Sequence, residues 1–335
     1  MESLDLRVLS DTLAWRQAGN AVTLVTVVET WGSAPRPAGA LLAVRDDGVV
    51  SGSVSGGCVE DDLIARIKSG EYEAKHSSKP SIIAYGVSKE EAARFGLPCG
   101  GTLRLVQEPV IETEWISELL IRTARHEIVA RQVNISTGKV SIDKASRQDA
   151  MSFDGLTLKT VFGPKWRLLL IGAGQLSQAV AAIASMLDFE VLVCDPRDEY
   201  AHTLNIDSAT RIAGMPDDVV RELIPDAHTA IVALTHDPKL DDMALLEALK
   251  SNAFYVGALG SSRTQLARKQ RLAEHFDMTK RELARLHGPV GLKISAKTPA
   301  EIAVSILAQI IEVKNAPDSN NTACALNSVT TSSTS

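Results

Sequence analysis

The feature that most constrains this sequence is a regular alternation of strand-like and helix-like segments in its second half. Short runs rich in β-branched and aliphatic residues are separated by segments with apolar residues at helical spacing. The strand-like runs cover residues 167–171, 190–194, 228–234 and 253–256. Such alternation is typical of βαβ units, which build a parallel sheet with helices on both faces. We therefore predict a Rossmann-like, doubly wound parallel sheet over residues 161–315.

The first strand-like run leads into a glycine-rich turn of the form GxGxxS, at Gly172, Gly174 and Ser177. Gly172 permits a tight turn, Gly174 lets the backbone approach a phosphate, and Ser177 is small enough for the contact between helix and strand. The helix that follows offers free N–H groups and the positive end of its dipole to a pyrophosphate. The turn predicts a nucleotide site, the alternative being a Rossmann fold whose glycines only turn the chain.

Four further residues follow strands at the same predicted edge of the sheet. Asp195 comes about 20 residues after the first glycine, the spacing of a ribose-binding acid. Arg197 is suited to a phosphate, so the sequence leaves NAD and NADP open as the nucleotide. His236 and Asp237 follow the third run and are candidates for contact with a ligand or partner. The alternative is that the acids after them start a helix, with His236 in an ordinary loop.

The first half of the chain predicts a separate α+β domain. Residues 31–57 are rich in glycine, proline and serine, which indicates tight turns between short strands. Helical patterns cover residues 4–17, 59–68 and 114–124, and strand-like runs cover 21–30, 81–85, 102–106, 126–135 and 139–142. We assign residues 1–142 to this domain, 143–160 to a polar linker and 316–335 to a disordered tail rich in Ser, Thr and Asn.

Two loops of this first domain are suited to an anionic ligand. The first holds Ser33 and Arg36, and a planar guanidinium can bind a phosphate through two N–H groups. The second runs Ser-Val-Ser-Gly-Gly-Cys-Val-Glu over residues 53–60, directly before a predicted helix. Glycines there allow close approach of the backbone to a ligand. The candidate binding residues of this second loop are Ser55, Gly56, Gly57, Cys58 and Glu60.

Two cysteines are candidates for contact with a soft metal or sulfur. Cys58 precedes a predicted helix, whose dipole lowers the pKa of a thiol at its N-terminus. Cys99 lies in another loop that is rich in glycine. The spacing between the two cysteines does not suit a structural zinc site. The alternative for Cys58 is a small buried apolar residue. Cys194, in a strand, and Cys324, in the tail, are weaker candidates.

Composition excludes several other classes of protein. A net charge of -6 argues against nucleic-acid or anionic-membrane binding, which need a concentrated basic face. Only four cysteines occur, without a CxxC pair, so a disulfide scaffold is not expected. The sequence shows no secretory signal and no apolar run of the roughly 18 residues that a membrane helix needs. We expect a cytoplasmic protein.

The motifs in both halves resemble those of the XdhC/CoxI family of maturation factors. In the first domain the resemblance lies in Gly-Ser-Ala-Pro-Arg at residues 32–36, Ser-Gly-Gly-Cys-Val-Glu at 55–60 and the loop at 97–101. In the second half it lies in residues 195–197, 235–242, 255–261, 287–292 and 298–303. It covers nearly the whole chain except the tail, with the motifs in the same order.

This resemblance implies a chaperone for molybdenum cofactor, the molybdopterin-bound metal. Such a protein protects the cofactor while its terminal sulfido ligand is installed with a cysteine desulfurase, and then inserts it into a xanthine dehydrogenase-type apoenzyme. The resemblance also implies a homodimer, and a protein without turnover of a free metabolite. Our hypothesis is that Arg36 and backbone N–H groups near Gly56 and Gly57 hold the pterin phosphate, with Cys58 or Cys99 near the molybdenum or its sulfur. Glu60 then either orients the helix start or hydrogen-bonds the pterin.

Two other functions are consistent with the second half alone. The first is an NAD(P)-dependent oxidoreductase with His236 as its acid or base. This function assigns no role to the glycine- and thiol-rich first domain. The second is a regulator that senses a nucleotide. The Rossmann half is also open to the nucleotide part of a cytosine-dinucleotide form of the cofactor.

Overall fold

The computed structural model describes residues 3–30, 36–57, 59–70, 79–86, 102–146, 149–197 and 209–316. The chain divides into two compact units, Met1–Lys165 and Trp166–Ser335. The boundary between the two units lies close to residue 161, the predicted start of the second domain.

A five-stranded antiparallel sheet forms the centre of the first unit. Its strands are β1 (Val22–Thr30), β2 (Leu41–Arg45), β3 (Val50–Gly52), β4 (Ser81–Tyr85) and β5 (Leu103–Pro109). They lie in the order β3-β2-β1-β5-β4. The β-branched run β1 occupies the middle, where both faces of a strand are buried. The helices α1 (Ser3–Gln17) and α2 (Glu60–Lys68) precede and follow the first three strands.

A second, four-stranded antiparallel sheet completes the first unit. After helix α3 (Glu114–Ala124) come β6 (Val129–Asn134), β7 (Val140–Lys144), β8 (Ser152–Phe153) and β9 (Thr157–Phe162), in the order β7-β6-β9-β8. The linker predicted over residues 143–160 is therefore wrong, because this stretch contains the end of β7, all of β8 and most of β9. Residues of β9 alternate between partly exposed and buried positions, so its outward polar residues made the segment resemble a linker.

The two faces of the five-stranded sheet have different neighbours. Val25 and Val27 on one face share an apolar cluster with Leu63 of α2. Leu24 and Val28 point to the opposite face, since side chains alternate along a strand. There they pack in two clusters with residues of the second sheet and, in one of them, with α1 and α3.

The second unit is a six-stranded parallel sheet in the order β12-β11-β10-β13-β14-β15. Its strands are β10 (Arg167–Ile171), β11 (Glu190–Cys194), β12 (Ala209–Ile212), β13 (Thr229–Ala233), β14 (Tyr255–Ala258) and β15 (Leu286–His287). All described neighbours pair in parallel. The predicted Rossmann-like sheet is confirmed, and the order of its strands reverses between β10 and β13.

Helices cover both faces of the parallel sheet. They are α4 (Gln175–Met186), α5 (Pro216–Leu223), α6 (Pro238–Ala248), α7 (Ser262–Phe276), α8 (Lys280–Ala284) and α9 (Pro299–Asn315). Leu169 packs with residues of α6 and α7 on one face, while Leu170 packs with residues of α4 and α9 on the other. Helix α9 begins with a capping box between Thr298 and Glu301.

Among the helices in the described ranges, none combines the length and the apolar character that crossing a membrane requires.

Candidate functional site

The carboxylate of Glu60 is the centre of the second glycine-rich loop. Its Oε1 accepts hydrogen bonds from the backbone N–H groups of Val54 and Ser55, at 2.9 and 2.8 Å, and from the Ser53 hydroxyl at 2.7 Å. Its Oε2 accepts from the N–H of Gly57 at 2.9 Å and from the Ser55 hydroxyl. Because Glu60 is only 8% exposed, the loop encloses its own anion.

The hydrogen bonds keep the Glu60 carboxylate charged in spite of its burial. Burial raises the pKa of Glu60, but the hydroxyls of Ser55 and Ser53 and the backbone N–H groups of Ser55 and Val54 lower it, to about 2. A carboxylate that accepts several N–H bonds is stabilised in its ionised form. At neutral pH the loop therefore contains a fixed negative charge.

The backbone amides expected to hold a phosphate are engaged within this loop. Gly57 donates to Glu60, and the N–H of Gly56 donates to Ser53 Oγ at 3.1 Å. The Ser55 hydroxyl also accepts from the N–H of Val59 at 2.9 Å. The hypothesis that these amides bind a pterin phosphate is therefore replaced, because Gly57 donates to the Glu60 carboxylate and Gly56 to the Ser53 hydroxyl. Of its two predicted roles, orienting the helix start is the one that these contacts support.

Three residues of the predicted cargo site, Ser33, Cys58 and Cys99, lie outside the described residues, and their roles stay predictions. Arg36 is described and is partly buried, directly after the first of these gaps.

The start of α2 was expected to favour a thiolate at Cys58. Three carboxylates, of Glu60, Asp61 and Asp62, occupy the first turn of this helix. Negative charge in the first turn offsets the positive end of the helix dipole. The helix end is therefore already balanced by the chain's own acids.

Gly172 forms the tight turn predicted after β10, at the point where the strand order reverses. Its φ is +110°, and a Cβ there would lie 3.2 Å from the carbonyl carbon of Leu234 and from the Cα of Thr235. The turn thus contacts the loop after β13 closely. Its N–H donates to the carbonyl of Cys194 at 2.7 Å, which ties the turn to the end of β11.

Gly174 and Ser177 follow at the start of α4. Gly174 is the N-cap in an extended conformation, without a side-chain cap, and a Cβ there would meet nothing within 4 Å. Ser177 is 1% exposed, as expected for a small residue at the contact between helix and sheet. An open helix N-terminus is a site that a phosphate can occupy.

Asp195 does not have the arrangement expected of a ribose-binding acid. Its Oδ2 accepts from the N–H of Ala173 at 2.9 Å, and its two oxygens also accept from the guanidinium of Arg197, at 2.9 and 2.7 Å. Burial raises the pKa of Asp195, but Arg197 and the N–H of Ala173 lower it below its ordinary value. Because Asp195 is 2% exposed, it ties the glycine turn to β11 and is not open to a ribose. Arg197, predicted as a phosphate contact, is its ion-pair partner.

His236 and Asp237 lie at the carboxyl edge of the sheet, as predicted. Asp237 is the N-cap of α6, with its Oδ1 accepting from the N–H of Lys239 at 2.9 Å. His236 is exposed, with a φ of +62°. The helix starts at Pro238. The alternative for this segment had Asp241 and Asp242 starting the helix, but Asp237 caps it and Asp241 lies in its first turn.

A buried ion-pair network lies behind this edge. Arg268 of α7 donates to Asp241 at 2.9 Å and to Asp242 at 3.2 Å, and Asp241 accepts from the hydroxyl and the N–H of Thr235. Arg268 also donates to the carbonyl of Leu259 at 3.2 Å. The network therefore joins the loop after β13 to the loop after β14. Arg268 was not predicted from the sequence, since a lone arginine in a helix does not indicate a buried ion pair until its partners are known.

The remaining described thiol is not part of a site. Cys194 is fully buried in β11, and burial together with the neighbouring Asp195 raises its pKa to about 11. Cys194, a weaker candidate from the sequence, thus lies in the apolar core. Within the described ranges, no group of three or more His, Cys, Asp or Glu side chains could hold a metal ion.

The fold and the site together define a class of protein. It is a two-unit α/β protein, with a glycine-rich loop closed on an internal carboxylate in one unit and a glycine turn at the switch point of a Rossmann-type sheet in the other. The chain belongs to the XdhC and CoxI family: that family's model matches residues 15–71, and the model of the XdhC Rossmann domain matches residues 168–310.

Similarity to other proteins extends over most of the chain. The molybdenum cofactor insertion chaperone PaoD of Escherichia coli is 28% identical over 299 residues, which cover 89% of this chain and 85% of PaoD. A probable xanthine dehydrogenase subunit of Bacillus subtilis is 28% identical over 317 residues, covering 87% of this chain and 92% of that protein. A crystal structure described as a xanthine dehydrogenase from Bacillus halodurans matches with a TM-score of 0.74 at 25% identity, covering 93% of this chain and 96% of that one.

Proposed function

We propose that this chain is a maturation factor that holds molybdenum cofactor as its cargo and inserts it into a xanthine dehydrogenase-type molybdoenzyme. The observation that carries the proposal is the similarity to a molybdenum cofactor insertion chaperone, which extends through both units. The clients of this chain are then apoenzymes that receive the cofactor. A cysteine desulfurase that supplies sulfur to the cargo is a further proposed partner.

The first unit carries the proposed cargo loop, residues 53–60. Glu60 and Ser55 fix the backbone on both sides of residue 58, through the N–H groups of Gly57 and Val59. Contacts that hold a loop in its binding conformation reduce the entropy lost when a ligand binds. In our proposal Glu60 is a positioning residue, and Cys58 contacts the molybdenum or its sulfur.

The phosphate of the cargo needs another donor, because the amides of Gly56 and Gly57 are engaged. Arg36, with Ser33 in the same loop, is our proposed phosphate ligand, since a guanidinium can donate two parallel N–H bonds. Cys99 is retained as a second proposed contact to the metal or its sulfur.

The second unit is proposed to bind phosphate rather than to carry out hydride transfer. The open N-terminus of α4 at Gly174 fits a phosphate, whereas the enclosed Asp195 does not fit the ribose of NAD(P). A phosphate of a dinucleotide form of the cofactor is a ligand of this kind.

The test is to express the chain in a host that makes molybdenum cofactor and to measure molybdenum and oxidised, fluorescent pterin in the purified protein. We expect near-stoichiometric pterin, and its transfer to an apoenzyme of the xanthine dehydrogenase type with recovery of activity. Cys58→Ala should lose the metal or the transfer. Cys194→Ala is the matched control, because it removes a buried thiol, and it should keep both.

Absence of pterin and molybdenum from the protein, under conditions where the host's own molybdoenzymes are loaded, would count against a cargo-binding role. Retention of full transfer in Cys58→Ala would instead reject the role of that thiol and leave the maturation role standing. Light scattering of the same preparation tests the predicted homodimer.

A further inference from the structure

A cavity of about 410 Å³ lies in the first unit, away from the cargo loop. It is lined by residues at the end of β5, the start of α3 and the turn between β6 and β7, with Glu108, Trp115 and Arg131 among them. Glu108 lies on the face of the five-stranded sheet that carries Val106 and Val110, whereas α2 packs on the opposite face. The cavity is therefore separate from residues 53–60.

A buried ion pair lines the cavity. Arg131 donates to the two carboxylate oxygens of Glu108, at 3.0 and 2.5 Å, and their side chains are 2% and 5% exposed. The Nε of Arg131 is also buried, and it has no hydrogen-bond partner among the described residues. A buried N–H without an acceptor is destabilising. A side chain that lines the cavity therefore keeps one donor without an acceptor among the described residues.

The pair forms a polar layer between two apolar clusters of the first unit. Val129 and Phe162 belong to one apolar cluster, and Val133 and Leu158 to another. Arg131 lies between these clusters on β6, opposite Thr160 of β9. A buried ion pair of this kind adds little stability over apolar residues of similar volume, because desolvation offsets the attraction. A binding role accounts for a polar layer at this position.

The walls and mouth of the cavity suggest the shape and charge of a ligand. The guanidinium carbon of Arg131 lies 4.1 Å from the ring centroid of Trp115, and the other walls include Pro109 and Val140. Lys139 and Glu112, both exposed, are the charged groups near the opening. Aromatic and apolar walls with a few polar groups are typical of small-molecule sites of roughly 300–1,000 Å³.

We propose that this cavity binds a planar nitrogen heterocycle that carries one anionic group. The ring lies against Trp115 and the apolar walls, a ring acceptor receives the Nε–H of Arg131, and the anionic group lies near Lys139. The acid at the opening, Glu112, disfavours a second anionic group. Pterins and nucleoside monophosphates share this chemistry. The site goes beyond the proposed cargo loop, since it lies on the other face of the sheet.

The test is calorimetric titration of the intact chain with pterin-6-carboxylate, AMP, CMP and inorganic phosphate, each alone. We expect one heterocycle to bind at one site per chain with a dissociation constant of about 1–100 μM. Ile111→Trp, at an exposed lining residue, should narrow the opening and weaken binding at least about tenfold. Lys139→Glu should weaken it similarly. Lys144→Glu, an exposed lysine on the same hairpin that does not line the cavity, is the charge-matched control and should leave affinity unchanged.

Binding of pterin-6-carboxylate alone identifies a pterin as the ligand, and binding of AMP or CMP alone identifies a nucleotide. No heat from any heterocycle at millimolar concentration would overturn the proposal, and so would binding that Ile111→Trp and Lys139→Glu leave unchanged. Phosphate binding as tightly as the heterocycles would overturn the role given to the ring. Cys58→Ala should bind the same heterocycle with wild-type affinity, which separates this site from the cargo loop.

Discussion

The guanidinium of Arg268 lies 2.9 Å from the carboxylate of Asp241 inside the second unit, and both side chains are at most 3% exposed. Asp242 shares the same guanidinium at 3.2 Å. Removal of one partner from such a group leaves buried charge uncompensated, which costs far more than loss of a surface pair. The network therefore determines how well the loops after β13 and β14 are held.

Arg268→Met should lower the free energy of unfolding by about 3–5 kcal/mol, because the buried carboxylate of Asp241 loses its cation and Asp242 keeps only Arg271. Urea denaturation of both proteins measures the difference. Arg271→Met is the control, since this side chain is 37% exposed and pairs with Asp242 alone, and it should cost about 1 kcal/mol or less. Equal losses in the two variants would contradict the special role of Arg268.

Glu60→Gln should remove part of the acid sensitivity of the chain. The pKa of Glu60 is lowered from 4.5 to about 2 in the folded protein, so its stabilisation is present above pH 4.5 and is lost as pH falls towards 2. We expect the variant to be less stable than wild type at pH 7 by about 1–3 kcal/mol, with the gap closing in acid. Unfolding free energies measured between pH 7 and 3 test this. Glu112→Gln, at an exposed position, should show no such gap.

Gly172→Ala and Gly174→Ala should have different effects although they change the same motif. At Gly172 a side chain is strained by the φ of +110° and crowds the backbone of Leu234 and Thr235, so stability should fall by about 1–3 kcal/mol. At Gly174 the backbone is extended and the space is open, so stability should change little. Thermal unfolding compares the two. If Gly174→Ala alone weakens phosphate binding by calorimetry, the open end of α4 is a ligand site.

Asp195→Asn should act on stability and not on ribose recognition. Asparagine has one acceptor oxygen and an NH2 donor in place of the other, so it cannot reproduce the two-oxygen pairing with the Arg197 guanidinium, and the expected loss is about 1–3 kcal/mol. Titration with NADH and with NADPH should give the same affinity, or the same lack of binding, in the variant and in wild type. A loss of NADH binding in the variant would return Asp195 to the role of ribose ligand.

The parallel sheet was predictable because its signals are local. The four predicted strands, β10, β11, β13 and β14, are mostly apolar runs, and the turn at Gly172 lies directly between a strand and a helix. The short strands β12 and β15 have no such run and were not predicted. The strands β8 and β9 were missed because their pattern is short and half-polar, and β9 becomes a strand only by pairing with β6. That partner lies more than 20 residues earlier in the chain, beyond the reach of local pattern.

The site was less predictable than the fold. Spacing placed Asp195 correctly beside the glycine turn, but spacing does not tell whether a carboxylate faces a ligand or the backbone N–H of Ala173. The same ambiguity affected Gly56 and Gly57. Backbone N–H groups can donate to an anion from any source, and here the N–H of Gly57 donates to Glu60 of the same loop while that of Gly56 donates to the Ser53 hydroxyl.

The pairing order of the first unit also has a consequence for synthesis on the ribosome. The central strand β1 needs β5, with Thr23 opposite Pro109, and β6 needs β9, with Val129 opposite Phe162. Pairings between distant segments form slowly, and they cannot form before the later strand has left the ribosome. A nascent chain that ends at residue 142 therefore still exposes the edge of β6 that later pairs with β9. Until β9 is synthesised, this edge is a surface that chaperones can bind.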